Sequence, residues 1–313
     1  KRDSDTMDTF VCSSWYYLRY PNAKYDLGPF DPDNLQWLPV DCYIGGSEHA
    51  TMHLLYARFI TKVLRDAGYL AFDEPFTKLY HQGVITKDSA KMSKSRGNTV
   101  SPDEFIEKYG SDTFRAYLMF MGPFDEGGDW NDKGINGIDR FLKKVWRLCL
   151  LPDSNSSATR KELQILHKTI GTVSSDLKEM KFNTAISRLM EFVNYFSQHD
   201  KVNKDIIINL IKLIAPFVPH IAEELWELNG ADSSVFTEKY PISDPKLAEE
   251  SNITITVQVN GKLRGSISVD KSNQKNEIIL LAKKQVNVKE HLKNKKIIKE
   301  IVVPGRLINF VVQ

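Results

Sequence analysis

The chain has 313 residues, of which 42% are hydrophobic and 26% are charged, and its net charge is only +2. This length allows two or three domains with substantial cores, and the composition is that of a folded globular protein. No apolar run approaches the roughly 20 residues that span a bilayer, and the polar opening residues are not expected to form a signal peptide. We therefore expect a cytoplasmic protein without a membrane partner. An opening without Met suggests a piece of a longer protein.

The three cysteines, Cys12, Cys42 and Cys149, lie far apart, and no two of them form a C-x-x-C pair. Closely spaced cysteines are typical of zinc knuckles, and disulfide frameworks are typical of secreted proteins. We therefore expect three reduced thiols, which agrees with a cytoplasmic location.

Residues 40–66 show the pattern of a strand, a tight turn and a helix. Residues 40–44 are mostly β-branched or aromatic, Gly45 and Gly46 turn the chain, and a helix is predicted from Ser47 or Glu48. Its apolar residues recur at helical spacing: Met52, Leu55, Phe59, Ile60, Val63 and Leu64. In nucleotide-binding α/β domains, a strand that leads into a glycine turn and a helix presents backbone N–H groups to a ligand.

The segment K-M-S-K-S-R-G-N at residues 91–98 follows an apolar stretch at 79–85. Serine, glycine and asparagine are poor in helix interiors, and the segment is too polar for a buried strand. It predicts a mobile loop with three cations, Lys91, Lys94 and Arg96. Such a loop suits a polyanion such as a phosphate chain, and a solvated basic turn is the alternative.

From residue 135 to residue 228 the apolar residues recur with a helical period, which predicts a helical bundle. A first helix is expected at the apolar stripe of Ile138, Leu142, Val145 and Cys149, and further helices are expected near 160–181, 184–198 and 204–214 and from Pro219. The first helix carries four cations on a face separate from its apolar stripe: Arg140, Lys143, Lys144 and Arg147.

Residues 251–313 change to the alternating pattern of strands. Two strand pairs, with turns at Asn260-Gly261 and Pro304-Gly305, flank a helix near 275–292, which predicts a small β-β-α-β-β domain. This segment has 12 Lys and Arg against 4 Asp and Glu, a net charge of +8, whereas the other 250 residues carry −6. A concentrated basic segment is typical of nucleic-acid binding, although a merely soluble surface can have the same charge.

The fragment G-G-S-E-H at residues 45–49, with a second histidine at 53, allows three interpretations. His49 and His53 have a spacing that can bind zinc, but the H-E-x-x-H order is absent and no third ligand is evident. The two rings could instead be structural and satisfied inside an interface. In the third interpretation the glycines admit a ribose or phosphate, Glu48 accepts hydrogen bonds from ribose hydroxyls, and the rings border the pocket.

Seven motifs follow one another along the chain: M-D-T-F-V-C-S-S-W-Y-Y at 7–17, G-G-S-E-H at 45–49, K-M-S-K-S at 91–95, Y-G-S-D-T-F-R at 109–115, R-F-L-K-K-V-W at 140–146, A-P-F-V-P-H-I-A-E-E-L-W at 215–226 and V-Q-V-N-G-K-L-R-G at 257–265. Together they resemble the class I aminoacyl-tRNA synthetases of the leucine type, in family order and over essentially the whole chain. The terminal V-P-G-R-L-I-N-F-V-V resembles the bacterial members in particular.

The resemblance implies that ATP and L-leucine form leucyl-adenylate and pyrophosphate, and that the leucyl group then passes to tRNA(Leu), with Mg²⁺ accompanying the ATP. Lys91 and Lys94 are implied to be catalytic, because they would stabilise the departing pyrophosphate. The implied leucine pocket consists of Phe10, Ser13, Tyr16, Tyr43, His49 and His53. The implied ATP site consists of Gly45, Gly46, Glu48, Val84, Met92 and Lys94. The implied tRNA contacts are Arg140, Lys143, Lys144, Arg147, Lys262, Arg264 and Arg306, and no metal ligand is implied.

The resemblance also implies a multidomain fold that combines α/β and all-α parts. It divides into the C-terminal half of a Rossmann-like catalytic domain (1–75), the K-M-S-K-S loop and stem-contact region (76–130), a helical tRNA-binding bundle (131–230), a linker (231–250) and a basic C-terminal tRNA-docking domain (251–313).

The H-I-G-H motif and the editing domain of the family do not occur in the sequence. The missing N-terminal half is therefore expected in the same natural chain or in a separate subunit, and the fragment alone is expected to be inactive. Two alternatives remain open: a non-catalytic tRNA-binding module or subunit of a split synthetase, and a metal hydrolase built on His49 and His53.

Overall fold

The computed structural model describes residues 9–249, 252–270, 273–293 and 295–313. These residues form helices and three small sheets, so the combination of α/β and all-α parts is correct in its coarse form. The chain divides into two compact units: Lys1–Ser156 with Thr172–Pro241, and Ser157–Gly171 with Ile242–Gln313. The finer five-part division stays a prediction. Residues 1–8, including Met7 and Asp8 of the first motif, and residues 250 and 251 at the predicted linker boundary lie outside the described residues.

No helix in the described ranges is both long and apolar enough to cross a bilayer.

The first unit begins with a strand–helix–strand arrangement. Its elements are α1 (Thr9–Ser13), β1 (Tyr43–Gly45), α2 (His53–Asp66) and β2 (Leu79–His81), with 3-10 turns at Tyr16–Asn22, Pro32–Trp37 and Ser47–Thr51. β1 and β2 are parallel, so that Tyr43 lies opposite Leu79 and Gly45 lies opposite His81. The predicted order of strand, turn and helix is present, but α2 begins later than predicted, at His53, because the third 3-10 turn precedes it.

Helix α2 is apolar on two sides. On one side Ala57 and Leu64 pack with Tyr17, Leu18 and Leu70 in a small core. On the other side four apolar residues are exposed: Met52, Leu55, Phe59 and Val63. An amphipathic helix normally buries a single apolar stripe and leaves its other face polar. The second side of α2 is therefore an unpacked apolar surface in the part of the chain that the structure describes.

Residues 84–91, which we call the lysine hairpin, form a β-hairpin that leads into the predicted loop at 91–98, and of that loop only Lys91 lies in a strand. β3 (Val84–Lys87) and β4 (Ala90–Lys91) are antiparallel. Asp88 and Ser89 form the turn between them, with φ angles of 55° and 57°. These left-handed conformations are uncommon for residues other than glycine.

After the hairpin the chain makes a short 3-10 turn, Lys94–Arg96, which ends at Gly97 with φ of 65°. Helices α3 (Pro102–Tyr109) and α4 (Ser111–Phe120) then lead to β5 (Gly127–Trp130). β5 pairs in parallel with β3, which gives a three-stranded sheet in the order β4-β3-β5.

Five helices follow close to the predicted positions: α5 (Ile135–Cys149), α6 (Arg160–Lys178), α7 (Phe182–Phe196), α8 (Lys204–Ile214) and α9 (Pro219–Leu228). In the first unit, α5 packs against α7, α8 and α9. The buried carboxylate of Asp112 in α4 joins this group, because Oδ1 lies 2.8 Å from Nδ1 of His220 and Oδ2 accepts the backbone N–H of Ile221 at 2.7 Å. Asp112 thus satisfies an unpaired N–H at the start of α9.

The second unit is built around a four-stranded sheet in the order β7-β6-β9-β8. Its remaining elements are α10 (Pro245–Ala248), β6 (Asn252–Val259), β7 (Lys262–Asp270), α11 (Lys275–Lys284), α12 (Val286–Leu292), β8 (Ile297–Val303) and β9 (Leu307–Val312). Ile279, Ala282 and Val288 of the two helices share a core with Val257 and Phe310 of the sheet. The single helix predicted near 275–292 is interrupted, because Gln285 is extended and its side chain accepts the Val288 N–H at 3.0 Å.

Two glycines bring backbone segments into direct contact where β3 meets β5. A Cβ added at Gly83 would overlap the backbone N of Gly127 and the carbonyl carbon of Glu126, and a Cβ added at Gly127 would overlap the carbonyl oxygen of Val84. The N–H of Gly83 also donates to the carbonyl of Phe124 at 2.7 Å. Only residues without a side chain permit this approach. The attachment of the lysine hairpin to the first unit therefore depends on these glycines.

Replacing Gly83 by Ala is expected to lower the free energy of unfolding of the first unit by about 1–3 kcal/mol, because the new methyl group meets backbone atoms that cannot rotate away. Urea unfolding followed by tryptophan fluorescence measures this, since all five tryptophans lie in the first unit. The control is Gly137→Ala in α5, where a Cβ meets nothing within 4 Å, so that variant should gain about 0.5–1 kcal/mol. Unchanged stability of Gly83→Ala would contradict the assignment.

Candidate functional site

An aromatic cluster surrounds His53 at the start of α2. The ring centroids of Tyr43 and His53 are 5.6 Å apart, and those of Tyr16 and His53 are 5.9 Å apart. A side-chain hydrogen bond joins Tyr16 to Tyr43, and Tyr43 stacks on Phe76 with 4.2 Å between the centroids. The fold therefore places three of the predicted leucine-pocket residues in mutual contact.

Phe10 and His49 extend this cluster on the side of α1. Their ring centroids are 6.4 Å apart in an edge arrangement, and His49 lies 6.2 Å from His53. Phe10 also stacks on Tyr56, with 6.1 Å between the centroids. Ser13 lies one turn further along α1, where its hydroxyl donates to the carbonyl of Phe10 at 3.3 Å. Five predicted pocket residues thus form one connected group of rings, and Ser13 adjoins it through the backbone.

His53 is only 5% exposed, yet neither of its ring nitrogens has a hydrogen-bond partner among the described residues, and Nδ1 of His49 is also buried and unpaired. Buried polar atoms are normally hydrogen-bonded, because an unpaired one loses its interaction with water. Burial, with a further contribution from charge on His49, lowers the pKa of His53. The cluster therefore contains a neutral imidazole whose nitrogens are available to a ligand.

Tyr16 stays neutral for the same physical reason. Burial raises its pKa above the ordinary tyrosine value, and the hydrogen bond and charge of Tyr43 act in the same direction. A protonated hydroxyl can donate or accept a hydrogen bond. Aromatic walls with a few well-placed polar atoms are typical of small-molecule sites, and neutral walls suit an apolar side chain.

The two histidines do not acquire further metal ligands. Within the described ranges, no group of three or more His, Cys, Asp or Glu side chains is arranged to hold a metal ion. The aromatic neighbours Tyr16, Tyr43 and Phe10 occupy the surroundings of His49 and His53. Among the described residues, the two imidazoles therefore have aromatic neighbours and no further group that could complete a zinc site.

The predicted adenosine-binding residues form the open surface beside β1. Gly45 ends the strand, and its carbonyl oxygen lies 3.1 Å from Nδ1 of His81. A Cβ at Gly46 would overlap a carboxylate oxygen of Glu48, so the carboxylate lies directly against the glycine. Glu48 is exposed. A bare backbone next to an exposed acceptor is the arrangement that a ribose can approach.

The two predicted catalytic lysines lie on the surface, one at the end of the hairpin and one in the turn that follows it. Lys91 ends β4, Lys94 begins the following 3-10 turn, and both are exposed. No contact among the described residues engages either ammonium group. Val84 is 54% exposed at the start of β3, and Met92 is half-buried just after β4. The hairpin thus presents unpaired cations, which remain available to an anion.

The four predicted tRNA contacts of α5 are all exposed: Arg140, Lys143, Lys144 and Arg147. Lys143 pairs with Asp139 at 2.7 Å, Nζ of Lys144 donates to Oδ1 of Asn194 at 3.0 Å, and Nε of Arg147 donates to the carbonyl of Lys143 at 3.2 Å. Exposed contacts of this kind contribute little free energy. They leave the positive charges accessible to a nucleic-acid backbone.

The three predicted cations of the second unit do not lie at one place. Lys262 follows the Asn260–Gly261 turn at the start of β7, and Arg306 precedes β9. Because β6 and β9 are parallel, the turn after β6 and the turn before β9 lie toward opposite ends of the sheet. Arg264 lies at a bulge within β7, and its Nε is buried without a partner among the described residues.

The sequence analysis missed two residues that hold the lysine hairpin in place. Oδ1 of Asp129 accepts hydrogen bonds from the hydroxyl of Thr86 and the N–H of Ser89, and Oδ1 of Asn98 accepts the N–H of Ser93. The Asp129 contacts join residues that are 43 and 40 positions apart in sequence, so no local pattern could reveal them. The only available signal for Asn98 was its place at the end of K-M-S-K-S-R-G-N.

Comparisons with known proteins agree with the motifs. Residues 1–129 match the family model of tRNA synthetases class I (I, L, M and V), and residues 160–280 match that of the anticodon-binding domain of tRNA ligase. The leucine–tRNA ligases of Clostridium perfringens (strain SM101 / Type A) and Thermotoga maritima are each 46% identical to the chain, and each alignment covers 100% of it. A crystal structure of the ternary complex of Agrobacterium radiobacter K84 agnB2 LeuRS, tRNA and LeuAMS has a TM-score of 0.75 and 36% identity.

The chain spans about 41% of the length of these two curated relatives and 42% of the protein chain in that crystal structure, which in turn covers 100% of this chain. The similarity therefore extends over the entire chain but over less than half of each relative.

Titration of His53 tests the description of the pocket. The pKa of His53 is lowered in the folded chain from the ordinary value of 6.5. Below about pH 6.5, therefore, the imidazole is protonated to a greater extent in the unfolded chain than in the folded chain. The free energy of unfolding consequently falls as the pH drops. Histidine NMR should give a midpoint below 6.5 for His53. Replacing His53 by Gln should remove part of the decrease in thermal stability between pH 7 and pH 5. A midpoint at or above 6.5 would show that the ring is hydrated or paired with an anion.

Proposed function

Since the chain belongs to the class I tRNA synthetases, in their leucine branch, we propose that the protein of which it forms part is a leucine–tRNA ligase that consumes ATP and L-leucine and charges tRNA(Leu). Leucine attacks the α-phosphate of ATP to give leucyl-adenylate and pyrophosphate. The leucyl group then passes to a ribose hydroxyl at the end of the tRNA, and AMP is released. Cytoplasm, where these substrates occur, is the proposed location.

The observation that carries this proposal is the half-buried ring cluster around the buried His53, with its unpaired imidazole nitrogens. Phe10, Tyr16 and Tyr43 provide neutral aromatic walls for an isobutyl side chain, and burial of apolar surface supplies the affinity. His49 and His53 provide buried hydrogen-bonding atoms that have no partner among the described residues. A polar group of the bound substrate can form hydrogen bonds with these atoms. Ser13 completes the proposed leucine pocket from α1.

The adenosine part of the substrate is assigned to the surface beside β1 and to the hairpin. Gly45 and Gly46 admit the ribose, Glu48 accepts hydrogen bonds from its hydroxyls, and the backbones at Val84 and Met92 flank the adenine. Ligands of open parallel α/β sheets bind beyond the carboxyl ends of the strands, which is where Gly46 and Glu48 follow β1.

Lys91 and Lys94 are assigned to the transition state of adenylate formation. Negative charge grows on the departing pyrophosphate, and unpaired ammonium groups placed there stabilise that charge more than they stabilise bound ATP. Such a differential interaction raises the rate of the chemical step. Mg²⁺ is proposed to arrive with the ATP phosphates. The described residues contain no cluster of ligating side chains for it, so no step is assigned to the ion here.

The remaining part of the active site is assigned to the missing N-terminal half of the synthetase, in the same natural chain or in a separate subunit. A sheet of only two parallel strands is normally completed by further strands and covered on both faces. The exposed apolar side of α2, with Leu55, Phe59 and Val63, fits a covering element of that half. The 313 residues contain no H-I-G-H motif, so the chain by itself is not expected to activate leucine.

The absence of H-I-G-H from this sequence also supports a second candidate, a non-catalytic tRNA-binding module or subunit of a split synthetase. The two proposals differ in what the lysine hairpin does. In an active synthetase the lysines act on the pyrophosphate, whereas in a binding module their removal affects only the affinity for tRNA.

In the complete enzyme, Lys94→Ala should lower kcat for leucine-dependent exchange of pyrophosphate into ATP by about 100- to 1,000-fold and leave the KM for leucine nearly unchanged, because one well-placed charged donor typically contributes this much to the transition state. The matched control is Lys178→Ala at the end of α6, an exposed lysine outside the proposed site, which should behave like wild type. Exchange by Lys94→Ala within twofold of wild type would overturn the catalytic assignment.

The cations of α5 and of the second unit are proposed to bind the tRNA backbone. Residues 251–313 carry a net charge of +8, and their one aromatic residue, Phe310, is fully buried. Base stacking on aromatic rings therefore cannot supply the affinity there. The proposed source of affinity is therefore charge contacts with the backbone of a folded RNA, which recognise its shape.

Replacing both Lys262 and Arg306 by Gln should weaken tRNA(Leu) binding by the complete enzyme and reduce the slope of log Kd against log salt concentration by about 1.5 to 2, as expected for two lost phosphate contacts. Adenylate formation should not change. The control pair, Lys284→Gln with Lys289→Gln, removes the same charge from exposed positions on α11 and α12. An equal effect of both pairs would mean that only total charge matters, which would contradict specific contacts at the two turns.

A further inference from the structure

The backbone of the lysine hairpin is held by side chains that are not themselves cationic. Oδ1 of Asp129, in β5, accepts the hydroxyl of Thr86 at 2.6 Å and the N–H of Ser89 at 2.9 Å. Thr86 belongs to β3, and Ser89 belongs to the turn between β3 and β4. One carboxylate oxygen therefore fastens both the strand and the tip of the hairpin to β5.

This contact falls on the part of the hairpin that most needs support. Asp88 and Ser89 both have left-handed φ angles, a conformation that is unfavourable for residues with a side chain. An acceptor fixed at the N–H of Ser89 favours this turn over its alternatives. Lys87, next to the turn, also pairs with Asp132 at 3.6 Å, so the residues after β5 contact the hairpin a second time.

Asn98 holds the backbone that follows the hairpin. Its Oδ1 accepts the N–H of Ser93 at 2.9 Å, and its Nδ2 lies 3.4 Å from the carbonyl of Lys91 and 3.5 Å from that of Lys87. Gly97, with a positive φ, turns the chain back so that Asn98 can reach these groups. The side chain thus ties together the two ends of the stretch that contains both lysines.

The two lysines depend on this frame for their direction. Lys91 and Lys94 are exposed, and among the described residues no hydrogen bond or ion pair holds their ammonium groups, so the direction of the backbone largely determines where these groups lie. A long, unpaired side chain on a loose backbone would lose entropy when it closed on an anion. A fixed backbone reduces that loss.

We infer that Asp129 and Asn98 are positioning residues for leucine activation: their side-chain oxygens hold the turn of the hairpin and the segment after it, so that Lys91 and Lys94 are directed at the phosphates. This role rests on the proposed function of the lysines. The hydrogen bonds that define it exist in the chain itself and can be tested without any catalytic assay.

The first experiment measures amide hydrogen exchange by NMR in the 313-residue chain. Asp129→Ala should raise the exchange rate of the Ser89 amide about tenfold, and Asp129→Asn, which keeps an oxygen acceptor, should raise it much less. Likewise Asn98→Ala should expose the Ser93 amide, whereas Asn98→Asp should keep it protected. Amides in the core of α8 serve as the reference for global stability and should not change.

The second experiment measures leucine-dependent pyrophosphate exchange in the complete enzyme. Asp129→Ala should lower kcat about tenfold at an unchanged KM for leucine, and Asp129→Asn should restore most of the rate. If Asp129→Asn is as slow as Asp129→Ala, the carboxylate acts through its charge, and the positioning role is wrong. Unchanged Ser89 exchange in Asp129→Ala would also overturn it.

The two experiments separate the inference from the proposed function. If the wild-type complete protein shows no leucine-dependent exchange, the proposed function fails, and the amide measurements still decide whether Asp129 and Asn98 hold the hairpin. If leucine-dependent pyrophosphate exchange is robust and the amide exchange rates change as expected, the proposed function and the positioning role are both supported. If pyrophosphate exchange is robust but neither Asp129→Ala nor Asn98→Ala alters kcat, the positioning role is rejected and the proposed function is retained.

Discussion

The close backbone contact between Gly83 and Gly127 is the constraint on which the arrangement of the site depends. β2 pairs with β1 beside the ring cluster, and two residues later β3 pairs with β5 and begins the lysine hairpin. The crossing from one sheet to the other takes place at Gly83, where any side chain would overlap the chain before β5. The pocket and the hairpin are therefore carried by one short, continuous stretch of backbone, and their relative position is fixed by backbone contacts.

The two halves of the proposed site use opposite physical strategies. The proposed pocket combines half-buried aromatic rings with the buried imidazole of His53, so that it would gain affinity from apolar contact and offer a few polar atoms to the ligand. The lysines of the hairpin and of the turn after it are exposed to water and have no ion-pair partner among the described residues. Binding of an anion therefore costs them little desolvation free energy and breaks no existing ion pair. A buried lysine would instead lose its charge or require a permanent partner. Support for the exposed lysines accordingly comes from neutral and acidic groups that bind the backbone.

Periodicity was sufficient to predict most helices and the strand pairs of the second unit. The apolar repeats of α5, α7 and α8 bury one side of each helix, and the alternation in β6 and β9 buries Val257 and Phe310. The helix start predicted at Ser47 or Glu48 was five or six residues too early, because the 3-10 turn before α2 has the same composition as a helix start. The break at Gln285 was missed because it depends on a single backbone conformation.

The candidate site could be predicted only as far as the motif resemblance carried it. That resemblance named Phe10, Tyr43 and His53, which are distant in sequence and meet in the fold. Periodicity alone would have assigned them to the core. The contacts of Asp129 and the opposite placement of the turns at Gly261 and Arg306 follow from strand pairing between distant segments. Information of this kind is absent from any local stretch of sequence.

A structure of the complete protein with a non-hydrolysable leucyl-adenylate analogue would test the proposed leucine pocket and the role of the lysines. We expect the leucyl side chain to contact the rings of Phe10, Tyr43 and His53, the ribose to lie against Gly46 and Glu48, and Lys91 or Lys94 to reach the phosphate position. An analogue bound away from this cluster, with the rings of Tyr43 and His53 packed against protein alone, would contradict the proposed pocket.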